Sequence, residues 1–118
     1  DASCIVAETN FGGAMVQQTI QVARPRTPFK PVVASRGKVQ RAEPFSALYE
    51  QGKVRHVGMF PELEDELAGF STHGFTGPRS PNRADALIWA LAALFPAITA
   101  SKKQAPDFSK SAAVGAAI

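Results

Sequence analysis

Two carboxylates, Glu8 and Asp85, stand on otherwise apolar stretches of this 118-residue chain. Glu8 follows the run SCIVA at 3–7 and precedes a turn-forming Thr9-Asn10-Phe11-Gly12-Gly13. Asp85 interrupts SPNRADALIWALAALF at 80–95, where nearly every side chain after Ala84 is apolar. A charge in apolar surroundings is costly unless it is paired or binds a metal. Acids held this way are hard-oxygen donors that suit Mg²⁺ or Mn²⁺. A metal pair roughly 3.5–4 Å apart activates water and stabilises the leaving oxygen of a phosphodiester. The plainer alternative pairs Glu8 with a nearby Arg and leaves Asp85 exposed in the first turns of its helix.

The elements around the two acids decide whether they meet. SCIVA is short, continuous and apolar, which predicts a buried strand of the parallel kind. Its carboxyl end, where Glu8 lies, is where α/β sheets place ligands. The glycine turn leads into 14–23, where Met15, Val16, Thr19, Ile20 and Ala23 recur at helical spacing. A second strand is expected at 29–35, with Pro31 near an edge or end. Strand, helix, strand makes a right-handed βαβ unit. A basic loop at 36–41 should then lead to a helix at 42–51, with Pro44 in its first turn and Gly52 as its C′ residue. Alternation predicts a strand at 53–58. A helix follows at 61–70, then a glycine-rich loop at 71–79. The helix at 80–95 takes Ser80 as N-cap and Pro81 as its first residue, and being apolar on all sides it should be buried. If it crosses the end of the sheet that carries Glu8, the two acids meet.

The remaining chemistry is weaker. Net charge is +3, and the cations gather between Arg24 and Arg55, with an acidic knot of Glu62, Glu64, Asp65 and Glu66 beyond. Lys38, Arg41, Lys53 and Arg55 are candidates for phosphate contact, against an ordinary solvated face. Asn10 could position a metal-bound water, or serve only as a turn former. The acidic knot could offer an extra ligand, but the dipole at a helix start explains it more simply. His56 and His73 lack metal-ligand spacing; His73, in the loop before Asp85, is a candidate for assisting proton transfer. Trp89 reads as core. A single cysteine, Cys4, excludes an internal disulfide and fits a reduced, intracellular setting. No apolar run is long enough to cross a membrane as a helix. Opening on Asp1, without a signal peptide, the chain reads as a fragment or processed product. From residue 97 a flexible tail is expected, with 114–118 sticky.

The segments IVAETNFGGAMV and SPNRADALIWALAALF resemble the C-terminal nuclease domain of the phage terminase large subunit. GKVQRAEPFSALYEQGKVRHVGMFPELEDELAGF between them is similar in order and spacing, so the resemblance spans about 5–95. It implies a ribonuclease-H-like α/β fold, a mixed sheet with flanking helices. It also implies an endonuclease that cuts concatemeric double-stranded DNA through two-metal hydrolysis with Mg²⁺ or Mn²⁺. One family acid follows a strand and precedes an Asn-Gly-type turn, matching Glu8. Another lies in an Arg-x-Asp-Ala pattern, matching Asp85. Both are then catalytic metal ligands. The family's first acid lies on an earlier strand with no counterpart here, and the phosphate-binding loop of the ATPase half does not occur. Residues 1–96 are thus expected to be the C-terminal portion of such a domain, lacking its N-terminal strands and reduced or lost in activity. The resemblance also implies a phage or prophage product in the bacterial cytoplasm. Expected partners are double-stranded DNA, the terminase ATPase domain, the small terminase subunit and the portal, with self-association through an open sheet edge. A non-catalytic DNA-binding or portal- and procapsid-docking module is the competing reading. A junction-resolvase type of enzyme shares the acids but would not predict PELEDEL.

Overall fold

In the computed structural model, which describes residues 2–100, the apolar run before Glu8 forms β1 (Ile5–Glu8). Gly12 then adopts φ +67°, a left-handed conformation that side chains disfavour, and turns the chain into α1 (Gly13–Ala23). The chain returns through β2 (Phe29–Val32), which pairs parallel to β1 with Ile5 opposite Phe29 and Glu8 opposite Val32. The expected βαβ order is present, with a shorter second strand. Beyond Val32 the pairing continues through a side chain. Asn10 Nδ2 donates to the Ala34 carbonyl at 3.0 Å, and the Ala34 N–H donates to Asn10 Oδ1 at 2.7 Å. β1 is only half-buried, and Cys4 is exposed, because the run has one strand neighbour among the described residues.

The expected basic loop at 36–41 is largely helix. α2 spans Lys38–Glu50 and carries Pro44 in its interior rather than its first turn. A mid-helix proline forfeits one backbone hydrogen bond and costs about 3 kcal/mol. Burial of Phe45 and Leu48 and the ion pairs made by Lys38 and Arg41 offset that cost. Gly52, at φ +67°, ends the helix as expected: its N–H donates to Tyr49 O at 2.9 Å and the Lys53 N–H to Leu48 O at 2.8 Å, a Schellman closure. No strand forms at 53–58. The segment is irregular, with Val54 and His56 half-buried and Arg55 and Val57 exposed. The alternation therefore records an extended chain lying on α2 without a ladder. His56 is held there, Nε2 2.9 Å from the Tyr49 hydroxyl, with its ring edge-on to Tyr49 and Phe60.

α3 (Pro61–Ala68) begins at the proline, as expected. The following loop contains a small antiparallel hairpin of β3 (Phe70–Ser71) and β4 (Gly74–Phe75), with His73 exposed in its turn. α4 (Asn82–Leu94) starts later than expected, with Pro81 as its cap residue. It is buried on one side only: Ala84, Asp85, Ile88 and Leu91 face inward, whereas Ala86, Ala90 and Leu94 are exposed. Alanine explains the misleading pattern, since it favours helix without demanding burial. Phe45 and Leu48 from α2 meet Ile88 and Leu91 from α4 to form the core, flanked by Tyr49, Val54, Leu87 and Phe95. The tail expected from residue 97 instead continues as α5 (Pro96–Ala100), whose Ile98 packs on this core. The rest of that tail, 101–118, with the sticky end at 114–118, lies outside the described residues.

Phe45 is 1% exposed, so Phe45→Ala should cost about 3–5 kcal/mol in urea unfolding. Leu94→Ala, on the open side of α4, should stay within about 0.5 kcal/mol.

Candidate active site

α4 packs against α2, α3 and β1, and this packing sets the position of Asp85. Its carboxylate is buried with the guanidinium of Arg41, each side chain 11% exposed, and Arg41 Nη2 donates to Asp85 Oδ1 at 2.5 Å. The same Nη2 lies 3.9 Å from Glu8 Oε2. Glu8, at the open end of β1, is 36% exposed, and its Oε2 also accepts the Trp89 indole N–H at 3.2 Å. The Arg41 guanidinium lies over the Trp89 ring, 5.0 Å from its centroid, a cation–π arrangement. Arg41 also donates from Nη1 to the Arg36 carbonyl, while its buried Nε has no partner. The fourth charge is Lys38. Its ammonium donates to Ser80 Oγ at 2.7 Å and Asn82 Oδ1 at 3.0 Å and stands 3.6 Å from Asp85 Oδ2.

Local sequence explains each placement. Lys38 and Arg41 lie three apart on the first turn of α2, hence on one face. Asp85 and Trp89 lie four apart on α4, so the residue expected in the core stands beside the acid and touches Glu8. That i, i+4 spacing was the available signal for Trp89. Ser80 does not cap α4 because its hydroxyl accepts from Lys38. The helix start is instead served from α3: Glu66 Oε2 accepts the Ala84 N–H at 2.9 Å. Arg83 ties the same start to Glu62 at 2.6 Å and to Glu66 at 3.4 Å. Glu66 thus acts on a helix start other than its own. The Ala84 N–H, assisted by the backbone and guanidinium of Arg83 and opposed by burial, holds its carboxyl below the usual glutamate range.

The two predicted acids therefore converge on one guanidinium. The plainer alternative holds for Glu8, which has an Arg nearby, and fails for Asp85, which is buried. Of the four cations proposed for phosphate contact, Lys38 and Arg41 engage the acids, while Lys53 and Arg55 are exposed. Asn10 prolongs the strand pairing, and His73 is bound only within its own turn, Nδ1 3.2 Å from Thr72 Oγ1. Glu8 and Asp85 match a hard divalent cation in kind. In number they fall short of a two-metal centre: no group of three or more His, Cys, Asp or Glu is assembled among the described residues.

A carboxylate at a strand end and a buried one on a helix packed against that strand thus share one guanidinium within a mixed α/β domain. The profile of the terminase RNaseH-like domain family matches residues 2–94, and the chain belongs to that family. No curated protein and no solved structure matched the chain. Among the described residues, no helix is long and apolar enough to cross a membrane.

Because the Glu66 carboxyl titrates lower folded than unfolded, its contribution is complete above the unfolded glutamate value of about 4.3. It is lost as pH falls from there through the folded value. Glu66→Gln should flatten this acid limb of the stability–pH profile and leave its neutral limb unchanged in slope, as read by urea midpoints across pH. Asn10→Ala should cost about 1–2 kcal/mol through two lost hydrogen bonds.

Proposed function

We propose that this domain is the DNA-cutting portion of a viral DNA-packaging terminase, a metal-dependent endonuclease for concatemeric double-stranded DNA. The convergence of Glu8 and Asp85 from distant parts of the chain onto one charge cluster carries this reading. Their carboxylates would hold Mg²⁺ or Mn²⁺, with a further acid, expected from the family resemblance on an earlier strand, completing a two-metal centre. Bound there, such ions supply Lewis-acid stabilisation and an activated water for phosphodiester hydrolysis. The chain's own residues orient the site. The Trp89 N–H fixes one oxygen of Glu8, and Lys38 braces Asp85 against the starts of α2 and α4. Lys53 and Arg55 attract backbone phosphates without reading sequence. Small-subunit, portal and ATPase-domain contacts belong to the same reading, as does a bacterial host cytoplasm with phage or prophage origin.

A second reading is a DNA-binding or portal-docking module without cleavage. It is favoured by the assembly of only two carboxylates, with Arg41 between them.

Supercoiled plasmid incubated with the chain and Mn²⁺ decides between the two. Cleavage should be abolished by EDTA and reduced about 10²-fold or more by Asp85→Asn or Glu8→Gln, the scale for losing one electrostatic group at a reacting centre. Folded chain that binds plasmid in a salt-sensitive manner and leaves it uncut would make the chain as given a binding piece and leave cleavage to a domain that carries the further acid.

A further inference from the structure

Lys38 and Arg41 offset the formal charges of Glu8 and Asp85, so the cluster is neutral without any metal. A divalent cation added to it would create a net +2 in a partly desolvated place, which is strongly unfavourable. One of the two resident cations has to give way. Lys38 is anchored by two neutral acceptors, Ser80 and Asn82, besides its contact with Asp85. Arg41 is the member that lies between the acids, within 2.5 Å of Asp85 and 3.9 Å of Glu8. Its Nε–H is buried without an acceptor, so this pose leaves the guanidinium incompletely satisfied. Arg41 also lines a cavity of about 230 Å³, together with Arg36, Gln40, Pro44 and Trp89. The side chain therefore has space to rotate away from the acids while α2 stays in place.

We propose that Arg41 is a tethered counter-ion that stands in the place of a divalent cation between Glu8 and Asp85, and leaves both carboxylates and the Trp89 face when the cation binds. This rests on the metal-binding reading above and adds a regulatory element to it. Without metal, the guanidinium keeps two like charges from repelling and holds the helix start against β1. It also sets a threshold, because the metal must displace a bound charge. Arg41 is thus a positioning residue, and on release its guanidinium becomes available to a backbone phosphate.

The test uses the full chain and measures binding rather than cutting. Mn²⁺ affinity is read from the free-ion electron paramagnetic resonance signal. The environment of Trp89, the single tryptophan, is read by fluorescence during a Mg²⁺ titration. Arg41→Met keeps an apolar stem on the indole and removes the charge; circular dichroism checks its fold. It should bind Mn²⁺ about tenfold more tightly than the unaltered chain. Arg41→Lys, which keeps a charge, should retain the weaker affinity. In the unaltered chain Mg²⁺ should shift Trp89 emission as the guanidinium leaves the ring, and in Arg41→Met that shift should shrink to what Glu8 transmits through its indole hydrogen bond. Should Arg41→Met fail to fold, the Trp89 response of the unaltered chain decides alone. Equal or weaker Mn²⁺ binding by folded Arg41→Met, or Mg²⁺ binding that leaves Trp89 emission unchanged in the unaltered chain, overturns the proposal while the metal site stands. Absence of Mn²⁺ binding by every variant, with Glu8→Gln indistinguishable from the rest, overturns the metal reading and this proposal together.

Discussion

A carboxylate placed among apolar side chains needs a partner, and in this domain Asp85 finds it in Arg41. Both members are largely withdrawn from water. Such a pair adds little net stability over a well-packed apolar substitute, but breaking it by removing one member costs about 3–5 kcal/mol. Its effect is positional. Arg41 can reach Asp85 only if the first turn of α2 lies beside the first turn of α4, and it can lie near Glu8 only if α4 runs past the end of β1. The apolar contacts of Phe45 and Leu48 with Ile88 and Leu91 then close over the same two helices. The core supplies the driving force, and the ion pair restricts which register of the helices it stabilises.

Several helix starts are tied together around this pair. Lys38 links the start of α2 to Ser80 and Asn82 before and within α4, and Glu66 of α3 accepts the Ala84 N–H. Side chains from other elements thus satisfy groups that a helix otherwise satisfies with its own cap. Asp85 is consequently held by a frame of three helices.

Membership of the terminase RNaseH-like family supports a nuclease-type domain. Two acids and two basic side chains, linked through Asp85 and Arg41, form a cluster whose formal charges balance. The resident guanidinium balances both carboxylates through contact geometry alone.

Local patterns were enough to find β1, α1, the parallel return through β2, α3, the glycine closure of α2 and the two acids, because each rests on neighbours a few residues apart. Glu8 and Asp85 stood out because charge on an apolar element is visible without knowing the fold. Other features were legible only in part. The start of α2 was concealed by Pro44, whose local penalty argues for a later start and is offset by contacts to residues far along the chain. The alternation at 53–58 marked an extended chain on a helix and resembled a strand because burial on a helix face can also alternate. Lys38 and Arg41 read as candidates for phosphate contact, Ser80 as a cap and Trp89 as core. Their actual partners lie across the fold, and nothing in their immediate sequence encodes that distance. The sequence by itself determined which elements form and where charge would be costly. Only the tertiary structure decided which cation meets it, since that depends on how α2, α4 and β1 pack together.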